Sequence, residues 1–258
     1  MRKLLKCEYL KTNRRHIILT ALFVTLIACV WAFYDSNKAE DAAEFMLQNG
    51  WHVILYQFPL INSIFFPLLS VIIASRLCDL EHKGSCLKLI CTLTPRGRLY
   101  DAKLLYGMFI TQSCVILFWA ATIVYGMLCG FRESFPITLY LLYLLFTLVP
   151  TAAVYCFQHA LSMNFKNPAV PFFTGILGEF VGLFAMFLPQ YPLLRRVVIW
   201  AYYGTLQFMG LYGYTKETRY TYTYLEHMGY DWAAFGILIA LTIGIYLIGK
   251  TIFCRKEL

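Results

Sequence analysis

Charge is what this chain has least of. Asp, Glu, Lys and Arg make up 14% of its 258 residues, while 60% are apolar and the mean hydropathy is +0.62. Soluble domains run nearer a quarter charged and half apolar, and a core of this size has no room for the surplus. An ordinary cytosolic or secreted enzyme is excluded. Catalytic signatures are missing too: the sequence has no HExxH, no GxSxG and no paired intramembrane aspartates, so nothing supports an intramembrane protease or other hydrolase. The nine cysteines fall at 7, 78, 86, 91 and 254 near basic clusters and at 29, 114, 129 and 156 within apolar runs. That distribution implies no disulfide framework. The net charge of +8 has no folded basic domain to support nucleic-acid binding, and suits anionic lipid head groups instead.

What remains is apolar length. Uncharged stretches near 17–34, 53–75, 104–131, 137–158, 169–189 and 233–249, with Glu179 the one clear interruption, match the span length of about 20 residues that a bilayer needs. Six spans place Arg2, Lys3, Lys6, Lys11, Arg14, Arg15, Arg76, Lys83, Lys88, Arg96, Arg98, Lys103, Lys166, Lys250, Arg255 and Lys256 on one side. Only Lys38, Arg132, Arg195, Arg196, Lys216 and Arg219 fall on the other. Positive residues in short loops stay cytoplasmic, so both termini are expected inside. The run 17–34 reads as a span rather than a processed leader, because the chain stays apolar past Cys29. Leu4, Leu5, Tyr9 and Leu10 among basic residues suit a helix lying on the inner surface.

Residues 197–214 carry no charge and read either as a seventh span or as a re-entrant segment. Tyr202, Tyr203, Thr205, Gln207, Tyr212 and Tyr214 favour the second, since amphipathic rings collect at interfaces. Six spans are therefore expected. The segment 190–231 holds nine of the 19 tyrosines, as an interfacial belt or as a lip that stacks on cargo.

Two motifs are decoys. Gly244, Gly249, Lys250 and Thr251 satisfy the phosphate-loop pattern, but that mechanism needs a flexible loop between a strand and a helix, and these residues lie in the last span. Cys78, His82 and Cys86 share a helical face, yet zinc sites use tighter pairs, and no metal site is expected. Glu179 is the polar candidate. A carboxylate facing lipid costs about 2.5 kcal/mol or more, so it is expected to face the bundle, as a lock between helices or as a cavity group that meets cationic cargo. Gly178 and Gly182 would let another helix approach beside it.

The loop after span two is the most informative. Asp79 and Glu81 precede Gly84 and Ser85; Leu87, Leu89, Ile90 and Leu93 form an apolar face; then follow Pro95, Arg98, Ala102 and Lys103. This describes a short amphipathic helix parallel to the membrane with a proline stop.

An acidic pair, Gly-Ser, a Leu-rich turn, Leu-x-Pro-x-x-Arg and Ala-Lys resemble the type-2 ABC exporter permeases, over essentially the whole chain. The resemblance implies an all-α integral membrane fold in one permease domain, 1–258, with an N-terminal interfacial helix and re-entrant helices between spans five and six. It makes the loop a coupling helix that docks on an ATPase through Glu81, Gly84, Leu87, Leu93, Pro95, Arg98 and Lys103. Length and the aromatic outer segment look most like the lantibiotic-immunity branch of Gram-positive bacteria. That branch implies a multi-pass cell-membrane subunit, not an enzyme by itself, pairing with a second permease chain and with ATPase subunits that hold ATP and Mg. The cargo would be an amphipathic peptide, passing Glu179, Tyr202, Tyr203, Tyr212 and Tyr214. A drug or ion permease and a non-transporting peptide sensor are the alternatives. Cys86 and Cys91 depart from the family's pattern.

Overall fold

The computed structural model describes residues 1–258 except 14, 36–39, 83–85, 189, 215–222 and 257–258. The helices are α1 (Arg2–Asn13), α2 (Ile17–Asp35), α3 (Glu40–His82), α4 (Cys86–Leu93), α5 (Arg96–Cys129), α6 (Ile137–Asn164), α7 (Ala169–Met186), α8 (Pro192–Val197), a 3₁₀ turn (Ile199–Ala201), α9 (Tyr202–Thr205) and α10 (Trp232–Arg255). Six of them, α2, α3, α5, α6, α7 and α10, are long and apolar enough to cross a membrane.

The helix ends follow local chemistry. Pro95 precedes α5, where its missing N–H is no loss, and Gly130 ends that helix in the left-handed region at φ 67°, its N–H donating to Met127 O. The Asp231 carboxylate caps α10 by accepting from the Ala234 N–H at 2.8 Å. The long helices overrun the uncharged stretches, because a helix needs no apolar surface once it leaves the hydrocarbon. Thus α3 runs on to His82 and α5 begins at Arg96. A break at Asn49 kinks α3, and the part beyond it still runs for roughly 50 Å at 1.5 Å per residue.

Helix α3 is the centre of the bundle, packed on α2, α5, α6 and α7, while α10 lies against α6 and α5. Small residues set the closest approaches. A β-carbon at Gly107 of α5 would collide with the Tyr155 hydroxyl of α6, and one at Gly249 of α10 would collide with Ala160. The Arg96 guanidinium donates to Cys254 O at 3.2 Å and Lys256 O at 2.6 Å, and the Lys256 ammonium to Asn164 O at 2.7 Å. Helix α1 packs on the first turns of α5. Both termini thus share one end of the bundle, here the terminal end.

The opposite end departs from the all-α expectation. Residues 197–214 form no seventh span; they break into the end of α8, the 3₁₀ turn, α9 and a strand. Strands β1 (Met209–Tyr212) and β2 (Tyr224–His227) pair antiparallel, with Met209 opposite His227 and Tyr212 opposite Tyr224. Chain geometry accompanies the break: Gly213 turns at φ 78°, and the Gln207 amide donates to Tyr56 O of α3 and to Met209 O, each at 3.1 Å, which ties the start of β1 to α3. Tyr220 and Tyr222 lie outside the described residues.

Candidate functional site

The loop between α3 and α5 holds the residues expected to dock on an ATPase. Helix α4 is amphipathic, but its two sides are not those its leucines alone suggest. Leu87 is buried at 6% exposure, with Ile90 and Cys91 packed against the same core. Leu89 and Leu93 point outward at 65% and 80%. Pro95 and Arg98 are also exposed, and Gly84 lies outside the described residues. Of the apolar residues assigned to docking, Leu93 is therefore a surface contact and Leu87 is an internal one. Leu89, passed over for that role, belongs with Leu93.

Glu81 and Lys103 are sealed inside, and so are not docking contacts of the surface kind. The Lys103 ammonium, fully buried, lies 2.8 Å from Glu8 Oε2 and 3.1 Å from Glu81 Oε1, and donates to Leu77 O at 3.1 Å. Lys11 closes the ring, 2.8 Å from Glu81 Oε1 and 3.2 Å from Glu8 Oε1. Two cations and two carboxylates thereby tie α1 to the end of α3 and the start of α5, the two arms that carry α4. Next to them Thr12 Oγ1 and the Tyr106 hydroxyl share a hydrogen bond of 2.6 Å between α1 and α5.

Burial alone would push the Glu81 carboxyl up, but Lys103 and Lys11 outweigh it and hold it below its ordinary value. Burial likewise presses on Lys11, yet Glu81 and Glu8 keep its ammonium above the usual range. Breaking such a ring from one side costs about 3–5 kcal/mol, because a charge is left buried and alone. Sequence reading took Lys11 for one more interfacial cation and passed over Glu8. The available signal was a single acidic residue inside an otherwise basic helix, three positions before Lys11.

The second group of candidates divides as well. Glu179 is half-buried on α7, and its Oε2 has no hydrogen-bond partner among the described residues. Its flanking glycines receive no spanning helix. Trp200 of the 3₁₀ turn covers both, its ring over Gly178 and its backbone over Gly182, where a β-carbon would collide. Tyr203 is buried beside them, sharing a 2.9 Å hydrogen bond with Thr151 Oγ1; burial raises its hydroxyl pKa, and the nearby Glu179 carboxylate adds to that. Tyr202 is buried too and donates to Arg196 O at 2.6 Å. Tyr212 and Tyr214 are exposed on the hairpin, with Tyr212 stacked on Tyr224. The fold thus gathers Glu179, Tyr203 and Trp200 and leaves Tyr212 and Tyr214 apart.

The phosphate-loop lookalike is continuous helix within α10, with Lys250 paired to Asp101 at 2.7 Å and bonded to the Tyr246 hydroxyl at 2.9 Å. Cys78 is buried and faces His159 of α6, Sγ to Nδ1 3.9 Å.

The profile of the family described as "ABC-2 family transporter protein" matches residues 4–184, well over half the chain. No curated protein matches it.

Proposed function

This chain belongs to the ABC-2 transporter family, and from that premise we propose that it is the permease subunit of an exporter that expels an amphipathic peptide, such as a lantibiotic, from the cell membrane of a Gram-positive bacterium. Family membership makes it a multi-pass membrane protein that partners an ABC ATPase. In this reading the terminal end is cytoplasmic, since it carries most of the positive charge. The chain has no catalytic role of its own; ATP and Mg sit on the partner.

The observation that carries the coupling role is the pairing of an outward Leu89–Leu93 face with a buried ionic ring that joins the helices before and after α4. A push on α4 reaches α1, α3 and α5 together, because the ring leaves no cheap way for one to move without the others. Two permease chains, identical or related, would form the pathway, and ATP-driven closure of the ATPase dimer would rock them as rigid bodies. Glu179 offers cationic cargo a carboxylate at membrane depth.

The test is co-purification with the cognate ATPase followed by peptide-dependent ATP hydrolysis and cell protection. Leu93→Asp should leave the chain folded but lose ATPase binding, since an unpaired charge in an apolar contact costs on the order of 3 kcal/mol. Leu87→Asp should instead lower the yield of the chain itself. A Leu93→Asp complex with full assembly and activity would remove the docking assignment. Hydrolysis and protection that ignore peptide, in a complex that assembles, would remove the cargo.

A further inference from the structure

A groove of about 450 Å³ opens on the side of the bundle between α7, α10 and the 3₁₀ turn. Phe157, Gly178, Val197, Trp200, Leu241 and Ile245 are among its walls, and the lining is almost wholly apolar. Its volume falls in the range of small-ligand sites, about 300–1,000 Å³. Exposed Leu177 and Val197 flank its opening, so it faces the hydrocarbon rather than water.

Charged residues adjoin one wall of the groove in sequence. Arg195 and Arg196 immediately precede Val197, and Arg196 Nη2 lies 3.5 Å from Asp231 Oδ2, which fixes the pair at the level where α10 begins. Arg195 is held by its own donation to Gly204 O at 2.9 Å, and its buried Nε has no partner among the described residues. Asp231 already spends its other oxygen on the α10 cap. Two guanidiniums against one carboxylate leave net positive charge beside the Val197 wall of the groove.

The depth matches a lipid. Ile245, at the far wall, lies 14 residues beyond Asp231, about 20 Å down the helix. Head groups included, a bilayer is about 40–45 Å thick, so half of it, from head group to mid-plane, is about 20 Å. A cation pair at head-group level above an apolar slot one leaflet deep is the shape of a phospholipid. Amphipathic cationic cargo fits the slot but not the mouth.

We propose that this groove is a binding site for one anionic phospholipid of the hairpin-side leaflet, its phosphate on Arg195 and Arg196 and one acyl chain against Gly178, Trp200 and Leu241. The bound chain would pack the 3₁₀ turn onto α7 from outside. The inference does not depend on the peptide reading of the cargo.

Trp200 is a built-in reporter. In nanodiscs, its emission is the difference between the parent and Trp200→Phe, and acyl-brominated lipid quenches an indole that it touches. Brominated phosphatidylglycerol should quench that component several-fold more than brominated phosphatidylcholine at equal mole fraction. Arg196→Gln, an exposed change that leaves the fold alone, should bring the two lipids close to parity. Leu241→Phe, which fills the slot, should weaken quenching by both. Equal quenching in the parent would overturn the anionic site, and absence of Trp200 quenching would overturn the acyl slot. Displacement of brominated phosphatidylglycerol by a cationic amphipathic peptide would reassign the groove to cargo.

Discussion

At the terminal end, Glu8, Lys11, Glu81 and Lys103 join three helices through buried charge. At the hairpin end, Trp51 meets Phe131, Phe135 and Tyr140 at ring separations of 4.8–5.5 Å, and the Tyr140 hydroxyl donates to Trp51 O. The two ends obey different rules. An ionic ring works all or none, since losing one member leaves its partners desolvated and unpaired. Aromatic contacts degrade gradually, because each pair adds only about 0.5–1.5 kcal/mol beyond its area and can slide without leaving a charge exposed. One end is therefore suited to transmit a push without loss, and the other to change shape.

The largest effect should come from removing the fully buried cation of the ring. Lys103→Met leaves Glu8 and Glu81 facing each other without it, and should cost about 3–5 kcal/mol, read as a lower melting temperature of the chain in detergent. Adding Glu81→Gln to Lys103→Met should recover part of the loss, because the like-charge repulsion goes. If Lys103→Met melts as the parent does, the ring does not hold that end together, and the comparison fails at its first step.

The hairpin end should break more softly. At Gly182, a β-carbon meets the Trp200 backbone, which cannot rotate away as a ring can. Gly182→Ala should cost about 1–3 kcal/mol, the scale of overpacking, and loosen the 3₁₀ turn from α7. ATPase docking at the other end should stay intact. Protease sensitivity of segment 190–231 beside ATPase co-purification reads both at once, and joint loss of the two would show that the ends are not separable.

How much of this was legible beforehand follows the same division. Spans could be read because charge is excluded from them: the stretches 17–34, 53–75, 137–158 and 233–249 all fall within α2, α3, α6 and α10. The amphipathic α4 announced itself through Leu87, Leu89, Ile90 and Leu93, although periodicity could not say which side faced the bundle, and the family resemblance assigned Leu87 outward. The ionic ring was invisible because Glu8 and Lys103 meet across 95 positions of sequence, and a lone glutamate among lysines reads as solvated. The hairpin was missed for a different reason. Four-residue strands such as Met209–Tyr212 are too short for alternation to register, and their tyrosines looked like an interfacial belt.

Acid should discriminate the two ends by a smaller margin. Glu81 titrates below its ordinary 4.5 when folded and Lys11 above its ordinary 10.5. A carboxylate with a lowered pKa stabilises the fold above its unfolded value and loses that contribution as pH falls through the folded one. A lysine with a raised pKa stabilises below its unfolded value and loses it as pH rises through the folded one. The melting temperature should therefore be flat, as far as the ring is concerned, between 4.5 and 10.5, and fall below that window. Glu81→Gln should flatten the acid limb. An acid limb unchanged in that variant would place the titrating groups elsewhere.

The smallest effect on stability, and the most informative about transport, belongs to Glu179. Its Oε2 lacks a partner while the neighbouring space is filled by Trp200 and Tyr203, so the site has a carboxylate but not the hydrogen-bonded surroundings that would make it a lock between helices. Glu179→Gln keeps the shape and removes the charge. The chain should fold and melt within about 1 kcal/mol of the parent, the usual range when an interaction is absent rather than broken. If the carboxylate meets cationic peptide, the variant complex should still assemble and hydrolyse ATP, yet lose protection of the cell, and Glu179→Asp should restore part of it. If protection by Glu179→Gln equals that of the parent, the charge has no part in transport. A variant that instead fails to fold would show that the fold itself needs the charge, and would remove the cargo assignment.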